Sequence, residues 1–84
     1  MTNVAVTELC LPGLVCPMPV LKAKKALALM AAGERLLVKS TDKHAWPDLA
    51  DFCERTGNRF IERFECDEDG HHYYAVLIER KPSV

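Results

Sequence analysis

The sequence contains no Cys-x-x-Cys pair, no glycine-rich phosphate loop and no apolar run near the roughly 18 residues a membrane-spanning helix needs. Its four cysteines, at positions 10, 16, 53 and 66, are too far apart for a zinc ribbon or a thioredoxin-type motif. Charge of either sign is not in excess: eleven Lys and Arg face twelve Asp and Glu, for a net charge of −1. That balance argues against a general nucleic-acid binder, which carries a clear basic surplus. The first residues, MTNVAVTELC, have neither the basic start nor the apolar stretch of a signal peptide. The cytoplasm is therefore the expected location, with its cysteines reduced. There is no Ser/His/Asp set and no pair of catalytic carboxylates. The two adjacent histidines, His71 and His72, would point to opposite faces of a strand, so no metal site is expected there.

With 84 residues the chain reads as one domain, 1–84, with room for one core but not for a deep enclosed cavity. Residues 4–10 and 34–40 have the β-branched and apolar pattern of strands, as do 58–66 and 72–80. Between the last two, Asp69-Gly70 is a hairpin signal. A helix is expected over 18–32, with Val20, Ala23, Leu27 and Met30 inward and Gly33 as its stop. A second helix begins near Pro47, with Asp48 and Asp51 in its early turns and Leu49, Phe52, Cys53 and Thr56 inward, and ends at Gly57. The order β-α-β-α-β-β implies an α/β (α+β) two-layer sandwich. A mixed four-stranded sheet carries two helices on one face, and its other face is open.

The chemistry concentrates in GLVCPMPVLKAKKAL, residues 13–27, where Cys16 precedes Pro17, Met18 and Pro19 at the strand-to-helix turn. Two helix starts fit, one with Pro17 first and Cys16 as cap, the other with Pro19 first and Met18 as cap. Either keeps Cys16 within about one turn of a helix N-terminus, where the dipole and unpaired N–H groups favour a thiolate over a thiol. The prolines set φ near its helical value without removing an intrahelical bond, and hold the thiol extended toward solvent. Read blandly, Cys16 would be a small buried hydrophobe and the prolines a mere helix start; the strand-end position and double proline favour the reactive thiol.

These residues resemble the TusA/SirA-like sulfur carriers. The likeness runs over roughly 8–81, through LPGLVCPMPVLKAKKAL, GERLLVKSTD, DLADFC and TGN to the closing hairpin. It implies the βαβαββ sandwich and a persulfide carried on the Cys-Pro-x-Pro cysteine, here Cys16. The sulfur would come from a cysteine desulfurase or a rhodanese-type donor. It would pass to an acceptor serving tRNA thiolation, molybdenum cofactor assembly or sulfur oxidation. No dissociable cofactor is implied, since the sulfur is covalent cargo, and the chain reads as a carrier rather than a stand-alone multiple-turnover enzyme. Gly13, Gly33 and Asp48 match the family pattern. Cys10 stands where the family usually has aspartate, Pro12 where a longer polar residue is common, Met18 where glutamate is frequent, and Lys43-His44 where Pro-Ala is common.

Cys10 is a possible second thiol, either resolving a disulfide with Cys16 in a redox switch or an inert strand residue. Cys53 reads as core and Cys66 as structural. Lys22, Lys24 and Lys25 form a cationic face, either simply solvated or a docking surface for an acidic partner. Trp46 is either a partner anchor or a cap on the core, and lies with His44 at the sheet edge expected to hold Cys16. A monomer forming transient complexes is expected, with no membrane or direct nucleic-acid partner. The alternative function is a non-catalytic regulatory or RNA/protein-interaction module of the same fold.

Overall fold

A computed structural model describes residues 6–15 and 17–81. The elements are β1 (Val6–Leu11), α1 (Met18–Ala28), β2 (Arg35–Ser40), α2 (Ala45–Thr56), β3 (Arg59–Glu68) and β4 (His71–Glu79). They form one four-stranded sheet in the order β1-β2-β4-β3. β1 and β2 run parallel, as a strand pair bridged by a helix must, and β4 is antiparallel to both β2 and β3. The expected mixed sheet and its element order are therefore found, with both helices packed on one face.

The register explains the core. Leu36 lies opposite Ile78 and Val38 opposite Val76, while Leu11 joins the row at the end of β1. These side chains meet Ala23 and Leu27 of α1, and Ala45, Leu49, Phe52 and Cys53 of α2, in one apolar cluster. Each fully buried Leu, Ile or Val in it contributes about 1.5–3 kcal/mol relative to exposure. Cys53 belongs to this cluster, and burial pushes its thiol pKa up to about 11.

α2 follows its sequence signals closely. Asp48 is in the first turn, and Gly57 takes the left-handed φ of 83° that the helix stop requires, its N–H donating to the Cys53 carbonyl at 2.9 Å. The hairpin is tighter than strands over 58–66 and 72–80 imply. β3 continues to Glu68, and only Asp69 and Gly70 turn the chain, both with positive φ.

α1 departs from expectation. It ends at Ala28, not at residue 32, and Gly33 is not its stop. The last turn tightens through Leu29 and Met30 N–H groups donating to the Ala26 and Leu27 carbonyls. Arg80 then donates from Nε to the Leu27 carbonyl at 3.0 Å, and the Gly33 N–H donates to the Arg80 carbonyl at 3.0 Å. The C-terminal end of β4 thus draws the chain off the helix and into β2.

The second sheet face is less open than expected. Lys39 lies there with only 7% of its side chain exposed, its ammonium 2.7 Å from Glu68 and 3.1 Å from Glu8. Both carboxylates hold the Lys39 ammonium well above its ordinary pKa, Glu68 most strongly. Tyr73 and Ala75 on that face are buried without a helix over them.

Candidate functional site

The turn after β1 is tied to the loop after β2, because the Gly13 N–H donates to Thr41 Oγ1 at 2.9 Å. Both lie at the carboxyl ends of the parallel pair, where open α/β sheets gather reactive groups. The first turn then leads through an exposed Val15 to an exposed Pro17. Cys16, the residue between them, lies outside the described residues.

The helix start matches neither of the two expected registers. Pro17 is the N-cap, with φ −97° and ψ 14°, Met18 is the first helical residue, and Pro19 is second and buried. The Met18 N–H donates to the Val15 carbonyl at 2.9 Å, closing a turn over 15–18, and the Pro17 carbonyl accepts the first helical bond from Leu21 at 3.2 Å. That turn sets the start one residue between the two alternatives. It also changes the electrostatic argument. Of the positions from Pro17 to Val20, two are prolines without an N–H and the Met18 N–H is engaged with Val15, so at most one backbone donor, that of Val20, is left in the first turn. The anion-favouring field therefore comes from the helix dipole more than from a cluster of unpaired amides. No acidic residue stands in the first turn to oppose it.

Pro17 and Val20 form one wall of a notch of about 230 Å³ whose other wall is Asp48, Asp51, Phe52 and Arg55 of α2. Asp51 pairs with Arg55 at 3.0 Å. Asp48 Oδ2 is buried and has no hydrogen-bond partner among the described residues. The sequence singled out Asp48, but that Phe52 and Arg55 flank Pro17 follows only from the helix pairing.

Lys22, Lys24 and Lys25 are exposed on α1, and none has a carboxylate partner among the described residues. Trp46 is half-buried in the first turn of α2, and its Nε1 donates to the Ala75 carbonyl at 3.1 Å. It therefore caps one end of the sheet and still presents part of its ring.

Cys10 is exposed on the face opposite the helices, and its Sγ donates to the Tyr73 hydroxyl at 3.4 Å. The Cys10 sulfur beside it, aided by burial, pushes Tyr73 up to about 12. Sequence inspection had no signal for the pairing, since 63 residues separate the two. Cys66 lies opposite Tyr73 on β3 and is partly buried. His72 is held between Asp67 and Glu65, each 2.7 Å away, and no group of three metal-ligating side chains occurs among the described residues. No described helix is long and apolar enough to cross a membrane.

The comparisons with known proteins agree on one relationship. The sequence profile of the family described as sulfurtransferase TusA matches residues 8–80. A protein of Neisseria meningitidis serogroup A, named as a candidate sulfur carrier, is 46% identical over 69 residues, covering 82% of this chain and 88% of the relative. The sulfur carrier protein TusA of Allochromatium vinosum is 39% identical over the same length and the same shares. Among solved structures, the SirA-like protein of Desulfitobacterium hafniense superposes with a TM-score of 0.66 at 28% identity, over 90% of this chain and 97% of that one.

Proposed function

The chain belongs to the TusA family of sulfur carriers, and from that premise we propose that Cys16 is the residue that carries the sulfur, as a persulfide. The observation that carries the reading is the place of Cys16 in the chain, directly before the proline N-cap of α1 at the carboxyl end of β1. The exposure of Val15 and Pro17 on either side supports it, because sulfur transfer needs direct contact between two sulfur atoms.

The chemistry is an exchange without net oxidation. The Cys16 thiolate attacks the outer sulfur of a donor persulfide. The S–S bond of the donor breaks, its thiolate leaves, and a new S–S bond forms on Cys16. An acceptor thiolate then attacks that outer sulfur and releases Cys16. The positive end of α1 favours the anion at both stages.

A family of sulfur carriers requires a donor and an acceptor. We assign the donor role to a cysteine desulfurase or a rhodanese-type protein. The acceptor would serve tRNA thiolation, molybdenum cofactor assembly or sulfur oxidation, and the cytoplasm is the compartment whose reducing poise suits a free thiol. The unpaired Lys22 and Lys25 on the exposed face of α1 suit an acidic donor surface.

Intact-mass measurement after incubation with a desulfurase and cysteine tests the assignment. An adduct of one sulfur atom, removed by dithiothreitol and absent in Cys16→Ala, is expected. An adduct that survives in Cys16→Ala, or none in the wild-type chain, overturns it.

A further inference from the structure

A second surface lies at the same end of the sheet and makes no use of a thiol. Lys43, His44, Trp46, Pro47 and Arg63 line a groove of about 400 Å³. Its floor is rigid. The Trp46 indole is fixed by its bond to the Ala75 carbonyl, and Tyr74 meets it edge-on with centroids 5.2 Å apart at 90°. The Arg63 guanidinium lies over the ring, 4.6 Å from its centroid.

A fault in the sheet puts Arg63 there. The β3–β4 register shifts between Phe60 and Glu62, so one extra residue, Ile61, bends β3. Beyond the shift Arg63 pairs with Val76, a core residue, and so faces the helix side where Trp46 stands.

Neither Lys43 nor Arg63 has a carboxylate partner among the described residues. The neighbouring acids pair with histidines instead, Asp42 with His44 of the groove lining and Glu65 with His72. A guanidinium placed over an aromatic ring has five N–H donors in a fork that suits a planar carboxylate. Trp and Arg are also the residue types that most often dominate interface energies.

We propose that the Lys43–Trp46–Arg63 groove docks an acidic peptide segment of a partner protein, an apolar side chain lying against Trp46 and a carboxylate against Arg63. A nucleic acid fits less well. Two unpaired cations in a short groove make a weak footprint for a phosphate chain, and the protein as a whole has no basic surplus.

Trp46 is the single tryptophan of the chain, so its fluorescence and its indole N–H resonance report on this groove alone. The probe is a blocked pentapeptide with a central phenylalanine between glutamates, titrated into the wild-type chain and into Cys16→Ser. A saturable change at Trp46 is expected in both, weakening as salt is added. Arg63→Gln and Lys43→Glu should each weaken it about ten-fold, the effect of one charge-assisted contact worth about 1.4 kcal/mol. Lys43 is an exposed loop residue, so Lys43→Glu keeps the fold and isolates the charge. Failure to saturate below about 1 mM peptide overturns the proposal. So do affinities in both charge variants that equal that of the wild-type chain, or tighter saturation by an oligouridylate. Loss of binding in Cys16→Ser would assign the effect to the thiol and overturn the groove as a separate surface. Because no sulfur is transferred in this titration, its outcome and that of the persulfide assignment are independent.

Discussion

The ammonium of Lys39 on β2 lies 2.7 Å from the carboxylate of Glu68 on β3, although β4 runs between the two strands. The side chain therefore spans the sheet on the face that no helix covers, and Glu8 of β1 holds it from the other direction at 3.1 Å. One residue links three strands, and its stem lies across the ladder from Ala75, which is fully buried. Replacing Lys39 by alanine should lower the thermal midpoint. Lys39→Met should recover part of the loss by restoring the apolar stem. Glu68→Gln should cost more than Glu8→Gln, following the shorter contact. An unchanged midpoint in Lys39→Ala would show that this face holds without the lysine.

Arg80 provides a second tie, from the chain just after β4 to the last turn of α1. Its Nε supplies a second donor to the Leu27 carbonyl, which also accepts the Met30 N–H just past the helix end. Arg80→Ala should destabilise the fold by about 1 kcal/mol, the usual worth of such a bond. In a domain of this size that is a fall of about 4–8 °C in Tm. Amide exchange should quicken in the last turn of α1 first. Uniform exchange across α1 in the variant would contradict the capping role.

His72 carries a pH dependence. Hydrogen bonds to Asp67 first, and then to Glu65, hold its pKa above the ordinary 6.5. A histidine raised in the folded state contributes stability that is fully present below its unfolded pKa of about 6.5. That contribution is lost as pH rises through the folded value. Both carboxylates must stay ionised, so the contribution also fades below about pH 4. The stability gap between wild type and His72→Gln should be widest near pH 5–6 and should close on the alkaline side. Chemical denaturation across that range measures it, and a gap that widens with rising pH would refute the assignment.

These ties mark the boundary of what could be read from the sequence. α2 was legible because its signals are local: Pro47 and Asp48 begin it and Gly57 closes it within one segment. The end of α1 was not, since Arg80 decides it from 53 residues away. The helix start was only partly legible, because the turn from Val15 to Met18 competes with both simple proline registers. Lys39 had no local signal, because only the strand order brings Glu68 within its reach. The groove at Trp46 was half legible. Trp46 stood out as a partner anchor, but Arg63 reaches it only because the sheet bulges at Ile61.

Cys53 supplies an internal control for every thiol measurement on this chain. It lies on the inner face of α2, 3% exposed, and burial alone raises its pKa to about 11. Almost none of it is thiolate at neutral pH, and reagent cannot reach what is. Cys10 is exposed and Cys66 partly so, and both should label with an aromatic disulfide before Cys53 does. Cys53 should react only as the domain opens, so its labelling rate should rise with urea in step with global unfolding. In Cys53→Ala the early phase of labelling should match that of the wild-type chain, and only the late, urea-dependent phase should vanish. If Cys53 instead labels quickly in native buffer, α2 must detach from the sheet far more often than its packing on Leu36, Val38 and Ile78 implies. The Asp48 and Phe52 wall beside Pro17 would then be too mobile to position a partner at the proposed sulfur-carrying residue.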